Sequence, residues 1–182
     1  MRRFAFALFV LAAGCGQQTT PPPPADAGPP GVATAAPSKP EVPLDAAMGA
    51  ILPADKAQTF ARQCSRISPG PITGTWAPGA AAIMELEASL GVEIERQLAA
   101  TSAAGSKPEA YYRQYAGLLI DGRPVIYVNG IDKDVVARAP EAQRDSWKTE
   151  PAVICDGGTI TFGVEYDPAT KTFSNFAFNG AI

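Results

Sequence analysis

The order of the sequence patterns predicts an α+β fold, with N-terminal helices packed on one antiparallel sheet of about five strands. A long apolar stripe of helical period occupies residues 78–100, ahead of every strand-like segment. The strand-like segments then follow one another, separated by turn sequences such as Asp121-Gly122. Helices first and strands afterwards favour α+β over alternating β-α-β units.

Residues 1–14 form a predicted signal peptide. Arg2 and Arg3 precede an unbroken apolar run, residues 4–13. Ten residues at about 1.5 Å of rise each are too short for a hydrocarbon core about 30 Å thick. The run has the size of the hydrophobic region of an export signal, so we expect the chain to leave the cytoplasm.

The junction after the apolar run reads Ala12-Ala13-Gly14-Cys15. This junction resembles the lipobox of bacterial lipoproteins, in which the cysteine is lipidated and becomes the new N-terminus. The resemblance implies a membrane anchor on Cys15, because acyl chains bury many methylene groups at about 0.8 kcal/mol each. The residue after the cysteine is Gly16 and not Asp. By resemblance to Gram-negative lipoproteins, this implies sorting to the outer membrane. We therefore expect the outer membrane, facing the periplasm, and an ordinary secretory signal is the alternative.

Residues 15–43 contain the lipidation cysteine and a predicted disordered tether. Nine of the 18 prolines lie in this segment, which has almost no large apolar residue. Such a composition cannot bury enough surface to offset the entropy of ordering the chain. Pro-rich linkers favour an extended conformation of about 3.1 Å per residue. We interpret the segment as a spacer between the membrane and a folded domain.

The remaining residues, 44–182, are expected to form a single α+β domain. Residues 44–67 have an interrupted helical pattern, with Pro53 between two apolar clusters. Residues 78–100 have the long helical pattern, and Pro78 suits its first turn. Its apolar positions recur at steps of three and four residues and define one stripe, namely Ile83, Leu86, Leu90, Ile94 and Leu98.

Five strand-like segments follow the long helix. Asp121-Gly122 separates the first two, which is typical of a tight β-hairpin. Pro124 lacks an amide hydrogen, so its strand end is expected at an edge of the sheet. A short helix is expected from Pro140 to Trp147. The five segments are residues 111–120, 124–129, 152–155, 159–166 and 171–178.

Cys64 and Cys155 remain once Cys15 is assigned to the anchor. An even pair of cysteines in an exported domain predicts a disulfide. The disulfide would close a loop of about 90 residues and would stabilise the fold by roughly 4 kcal/mol on the chain-entropy model. A redox-active pair is the alternative, but the Cys-x-x-Cys spacing of such pairs is absent from the sequence.

Charge and histidine content exclude several classes of function. The chain carries 15 Lys+Arg against 18 Asp+Glu, a net charge of -3, whereas nucleic-acid binding needs a basic face. It contains no histidine, which excludes every catalytic triad that uses imidazole. The sequence contains no motif that calls for a cofactor or a metal ion. We interpret Lys133 and Lys148 as surface charges.

Aromatic residues concentrate in the strand half of the chain. Most are expected in the core, but Tyr and Trp can also form a binding face because their rings carry polar groups. Alternation along the first strand puts Tyr111 and Tyr115 on one sheet face and Tyr112 on the other. The predicted binding face consists of Tyr111, Arg113, Tyr115, Tyr127 and Trp147.

Three strings stand out in the C-terminal half: Tyr111-Tyr112-Arg113-Gln114-Tyr115, Val153-Ile154-Cys155-Asp156-Gly157-Gly158 and Phe176-Ala177-Phe178-Asn179-Gly180. Together with neighbouring residues, they resemble a group of small exported or lipid-anchored proteobacterial proteins of unassigned function. The resemblance covers residues 74–182. It implies one continuous domain and carries no activity or ligand with it.

These observations predict a lipid-anchored envelope protein whose domain binds a partner and catalyses no reaction. The expected partner is another envelope protein, or a cell-wall enzyme that the domain inhibits. Two alternatives remain open. One is a hydrolase that uses Glu165 with Asp167 or Asp156, because paired carboxylates can supply acid and base. The other is a purely structural component of the envelope.

Overall fold

Six strands pair into one mixed sheet, and other segments of the chain pack on both of its faces. The computed structural model describes residues 49–101 and 106–180, which all belong to one compact unit. The predictions for the signal peptide, for Cys15 and for the Pro-rich tether lie outside these residues. The strands are β1 (Gly49–Ile51), β2 (Ile72–Trp76), β3 (Tyr111–Ile120), β4 (Arg123–Asp132), β5 (Thr161–Asp167) and β6 (Thr172–Phe178).

Three α-helices accompany the sheet in the described residues. They are α1 (Ala57–Ala61), α2 (Ala80–Ala99) and α3 (Lys133–Arg138). Short 3-10 turns occupy parts of the connections, including Glu141–Gln143 and Ser146–Lys148. Within the described ranges, none of the helices combines the length and hydropathy needed to cross a bilayer.

The long hairpin β3–β4 is the centre of the sheet. The two strands pair antiparallel over their whole length, from Tyr111 opposite Asp132 to Ile120 opposite Arg123. The other edge of β3 is shared, because β1 pairs parallel with its first half and β2 antiparallel with its second half. On the far side of β4, β5 and then β6 complete the sheet in antiparallel order.

The turn of this hairpin confirms the sequence prediction. Asp121 and Gly122 adopt φ values of 50° and 76°, the left-handed conformation that a two-residue hairpin turn requires. Pro124 departs from the prediction, because β4 is an interior strand. Pairing between β4 and β5 begins only at Ile126, so the missing amide hydrogen of Pro124 interrupts no bond to β5.

Helix α2 covers one face of the sheet, as its apolar stripe predicts. The five stripe residues are all buried, and the outer side of the helix carries exposed polar residues together with Met84 and Val92. The helix begins at Ala80 and ends at Ala99, so Pro78 precedes the N-cap residue Gly79 and does not lie in the first turn as predicted. Its stripe packs on side chains from three strands, which include Tyr111, Tyr115, Ile126, Val128, Phe162, Val164 and Tyr166.

The opposite face carries a second, smaller apolar cluster. Phe60 of α1 meets Tyr127 of β4 edge to face, with ring centroids 5.4 Å apart. Leu52, Leu118 and Val125 are buried beside them. The rest of this face is covered by two irregular segments, one between α1 and β2 and one between α3 and β5, which we call the irregular covering. The covering on this side therefore depends on chain segments that lack the periodicity of α2.

The α+β class is confirmed, and several details of the predicted architecture are corrected. The sheet has six strands and is mixed, because β1 runs parallel to β3. Residues 49–51 form this strand although they lie in a segment with a helical pattern, since pairing with β3 overrides a weak local preference. In place of the helix expected from Pro140 to Trp147, the chain forms two 3-10 turns. The helix α3 lies just before them in the sequence.

Candidate functional site

The five residues of the predicted binding face do not share an exposed surface. Each of them is at most 5% exposed, which corrects that prediction. Tyr111, Arg113 and Tyr115 lie on the face that α2 covers. Tyr127 and Trp147 lie on the opposite face. The prediction failed because residues of both faces are covered, one by a helix and the other by irregular segments.

A polar cluster lies buried between α2 and β3. The hydroxyl of Tyr115 donates a 2.7 Å hydrogen bond to Glu87 Oε1, and Arg113 Nη1 lies 3.4 Å from Glu87 Oε2. Arg113 Nη2 also donates to the carbonyl of Pro108 at 2.9 Å. Burial, and then the neighbouring Glu87 carboxylate, raise the pKa of Tyr115. Arg113 Nε and Nη1 are buried without a hydrogen-bond partner, so Arg113 is held here by its ion pair with Glu87 and its bond to Pro108. The cluster lies inside the fold and presents no binding surface.

Arg66 joins the irregular covering to the opposite face of the sheet. Its Nε donates to the Tyr127 hydroxyl at 3.1 Å, and its two terminal nitrogens donate to the side-chain oxygens of Asn129 and Asn179. Burial lowers the pKa of Arg66, while the bond to Tyr127 acts in the other direction. Gly163 lies directly beneath, where a Cβ would be only 2.6 Å from Arg66 Nε. The Arg66 guanidinium can therefore lie this close to β5 only because residue 163 is a glycine.

Two buried amide side chains hold the segment that follows Trp147. Gln114 Nε2 donates to the carbonyls of Trp147 at 2.5 Å and Glu150 at 2.7 Å. Its Oε1 accepts from the amide of Ala152 at 3.0 Å, and Asn129 Nδ2 donates to the carbonyl of Ala152 at 3.0 Å. Residues 152–155 are therefore not the predicted strand, because side chains of the central strands satisfy backbone groups that a ladder would have used.

The predicted disulfide between Cys64 and Cys155 is present, with Cα atoms 5.3 Å apart. It joins the segment after α1 to the segment after Ala152, and both cysteines are exposed. Hydrogen bonds beside it run from the Asp156 amide to Ser65 Oγ and from the Gly180 amide to the Ser65 carbonyl. The disulfide thus links the two irregular segments of this face to each other.

The carboxylates of the hydrolase alternative have distinct surroundings. Glu165 is buried on β5. Asp167 Oδ1 accepts the backbone amides of Ala169 and Thr170, which caps the turn between β5 and β6. Asp156 adopts a φ of 64° beside the disulfide. Asp167 is thereby engaged in shaping a turn, which leaves it fewer free lone pairs for acid or base catalysis.

A stacked pair of aromatic rings lies at the wall of an open cavity, with Tyr112 half-buried and Trp147 buried. Tyr112 of β3 and Trp147 lie with ring centroids 4.4 Å apart and planes inclined by 19°. Lys133 Nζ lies 5.2 Å from the Tyr112 ring centroid, and Lys148 Nζ lies 5.9 Å from that of Trp147. Both distances suit a cation–π contact. An open cavity of about 440 Å³, the Trp147 cleft, is lined by Tyr112, Lys133, Val136, Ala137, Arg144, Asp145, Trp147 and Lys148.

The Trp147 cleft carries an excess of positive charge. Lys148 is paired with Asp145, at 2.6 Å. Lys133 and Arg144 form no ion pair with any residue of the described ranges, and Arg144 Nε donates to the Ala139 carbonyl at 3.1 Å. Two cations thus remain without a counter-charge in a chain of net charge -3. A local surplus of this kind attracts anions.

A smaller apolar cavity lies beside the cleft. This apolar pocket has a volume of about 150 Å³, and it shares Val136 and Trp147 with the cleft. Glu150 is its one charged lining residue, and it is paired with Lys56. Its apolar walls come from β4, from α3 and from the residues after Trp147, namely Ile131, Val135, Val136, Ala139, Pro151, Ala152 and Ile154.

Trp147 is the one residue of the predicted binding face that lines the Trp147 cleft. Strand alternation puts Tyr112 on the other sheet face from Tyr111 and Tyr115, and the structure brings it against Trp147. The sequence predicts Lys133 and Lys148 as surface charges, and the structure places them near the rings of Tyr112 and Trp147. The position of Lys133 could have been predicted from the hairpin. Tyr112 pairs with Ile131 of β4, and Lys133 comes two residues after Ile131. Hairpin pairing therefore already placed this lysine near Tyr112.

The cleft has no features of a metal centre. Throughout the described part of the chain, no three Asp, Glu or Cys side chains come together as a metal-binding group. Its chemistry consists of two stacked rings, uncompensated cations and an apolar recess. In comparisons with known proteins, no family model, no curated protein and no solved structure matches this chain.

Proposed function

We propose that this protein is a lipid-anchored envelope protein whose domain binds an anionic group of an envelope partner. The lipobox-like junction at Cys15 and the apolar run before it support the anchor. The Pro-rich stretch would give the domain reach from the outer membrane into the periplasm. The Cys64–Cys155 disulfide agrees with an oxidising compartment, where such bonds persist.

The Trp147 cleft is the observation that carries the binding role. Its floor is held in place by buried amides, since Gln114 bonds to the carbonyl of Trp147 itself. Its walls supply the unpaired charges of Lys133 and Arg144. A floor that is already fixed lowers the free energy spent on reorganisation when an anion binds. No paired catalytic groups line the cleft, so we propose binding and not catalysis.

The anchor is tested by a single substitution. Cys15→Ser removes the proposed lipidation site, and the protein should leave the membrane fraction and appear in the soluble periplasmic fraction. Cys64→Ser/Cys155→Ser is the control for loss of a thiol elsewhere, and it should stay with the membrane. Unchanged fractionation of Cys15→Ser would contradict the anchor.

The cleft is tested by charge reversal. Lys133→Glu/Arg144→Glu should abolish the response of Trp147 fluorescence to inorganic phosphate at low ionic strength. Trp76→Phe in every chain leaves Trp147 as the sole tryptophan, because the sequence has two. Arg62→Glu/Lys107→Glu makes the same change of charge at two exposed residues outside the cleft.

The two double variants separate a local site from a general effect of charge. We expect the Arg62/Lys107 variant to respond to phosphate as the parent does, apart from a modest long-range weakening that salt screens. Equal responses in the two double variants would contradict an anion site in the cleft. Such a result would favour a purely structural role for the domain.

A further inference from the structure

We propose that the ligand is the C-terminal carboxylate of a protein or peptide whose last side chain is apolar. This inference rests on the proposed anion-binding function of the Trp147 cleft and specifies its ligand. It comes from the apolar pocket, which the binding of a bare anion would leave empty. The cleft and the pocket together form one site with a charged part and an apolar part.

The two cavities are direct neighbours. Val136 and Trp147 belong to the walls of both, so one ligand can place a group in each. The anion and the apolar group of that ligand must be separated by very few bonds. A C-terminal residue meets this condition, because its carboxylate and its side chain are attached to the same carbon.

The size of the apolar pocket limits the apolar group. A cavity of about 150 Å³ accommodates a molecule of the size of benzene. This pocket has that volume, and its wall is aliphatic apart from Gln143, Ser146, Trp147 and Glu150. A leucine or phenylalanine side chain fits such a space. The pocket has room for only a short part of the acyl chain of a membrane lipid, which favours a peptide side chain as the occupant.

The charges of the site suit a single carboxylate. Arg144 offers a planar guanidinium and Lys133 a point charge, and both lack an ion-pair partner among the described residues. An arginine can bind a carboxylate through two parallel hydrogen bonds. Glu150 at the apolar pocket does not oppose this binding, because Lys56 neutralises it.

Three small probes test the proposal on the full chain with Trp76→Phe. N-acetylphenylalanine carries the carboxylate and the ring, N-acetylglycine carries the carboxylate alone, and N-acetylphenylalaninamide carries the ring alone. Titration followed by Trp147 fluorescence should give a Kd for N-acetylphenylalanine at least tenfold lower than for either of the others. Equal affinity of N-acetylphenylalanine and its amide would overturn the proposal.

A pocket-filling variant locates the apolar part of the site. Ala139→Phe should occupy the pocket and raise the Kd of N-acetylphenylalanine to that of N-acetylglycine, while N-acetylglycine binding stays unchanged. Ala142→Phe is the matched control, because Ala142 is exposed and lines neither cavity. It should bind all three probes as the parent does.

The outcomes distinguish this inference from the function on which it rests. If phosphate and N-acetylglycine respond to the Lys133/Arg144 reversal but the phenyl ring adds no affinity, the carboxyl-terminal ligand is wrong and the anion site stands. If no anion binds at all, both proposals fail. If Ala139→Phe and Ala142→Phe weaken N-acetylphenylalanine equally, the apolar pocket is not the site of the side chain.

Discussion

The two faces of the sheet are covered in different ways. One face carries α2, a 20-residue helix whose five stripe residues are all buried. The other face carries a five-residue helix, 3-10 turns and irregular chain, joined by one disulfide. The first covering is apolar and periodic, whereas the second depends on hydrogen bonds between side chains and backbone.

The difference explains where cavities form. A helix that packs its stripe on a sheet fills the interface at high density and leaves little space. Irregular chain has backbone groups that must be satisfied locally, and here Gln114, Asn129 and Arg66 satisfy them from the sheet. The Trp147 cleft and the apolar pocket both border this second covering. The face under α2 thus carries the larger apolar core, and the irregular face is where we propose that binding takes place.

The largest expected effect concerns the irregular face. Cys64→Ser/Cys155→Ser opens a loop with a sequence separation of 91 residues, and it should lower the free energy of unfolding by roughly 4 kcal/mol. Urea unfolding measures this loss. Hydrogen exchange should rise first around residues 152–157, while α2 stays protected. Uniform acceleration across both faces would show that the two coverings are not independent.

The next effect concerns the face under α2. Leu90→Ala creates a cavity in the middle of the buried stripe and should cost about 3 kcal/mol. Val92→Ala is the matched control on the same helix, because Val92 is 70% exposed, and it should cost less than about 0.5 kcal/mol. Thermal unfolding of the two variants gives the comparison. Similar losses would contradict the burial pattern of α2.

A smaller effect is expected where the sheet holds the irregular covering. Gln114→Leu leaves the carbonyls of Trp147 and Glu150 and the amide of Ala152 without their partner, which should cost about 2 kcal/mol. Trp147 emission should also shift to the red as the cleft floor loosens. Gln58→Leu, at an exposed position of α1, is the control. An unshifted spectrum of Gln114→Leu would mean that the amide does not position Trp147.

The smallest effect is a pH dependence on the α2 face. Because burial and Glu87 raise the pKa of Tyr115, the folded state keeps the phenol proton above the ordinary value of about 10. The stability that this group contributes is complete below pH 10 and is lost as the pH rises further. Tyr115→Phe should cost about 1 kcal/mol at pH 7 through the lost bond to Glu87.

The check on this prediction is unfolding at several alkaline pH values. The deficit of Tyr115→Phe against the parent should narrow above pH 10, because only the parent loses the contribution of this phenol. Tyr111, whose pKa burial raises to about 12, is present in both chains and so does not contribute to the difference. A constant deficit from pH 7 to pH 11 would contradict the linkage.

The same contrast between faces decides what the sequence could predict. The stripe of α2, the Asp121-Gly122 turn, β5 and β6 follow from periodicity and turn chemistry, which are local properties. The pairing of Cys64 with Cys155 follows from cysteine count and predicted export. The strand β1 could not be predicted in this way, since its three residues become a strand only through pairing with β3.

The site was less predictable than the fold, for the same reason. Alternation along β3 separates Tyr112 from Tyr111 and Tyr115, but it does not say which face stays open. The answer depends on where the chain after α3 lies, and Gln114 and Asn129 fix that course through contacts distant in sequence. The segment 152–155 has the composition of a strand and is diverted by those same amides.

One measurement tests the central claim that the irregular face provides the binding site. Amide chemical-shift mapping by NMR of the full chain with N-acetylphenylalanine reports every residue near the bound ligand. We expect the largest changes around Tyr112, Lys133 and Trp147 and at Ile154 of the apolar pocket, with α2 unperturbed. Changes concentrated on α2 or along β6, or no saturable change anywhere, would contradict it.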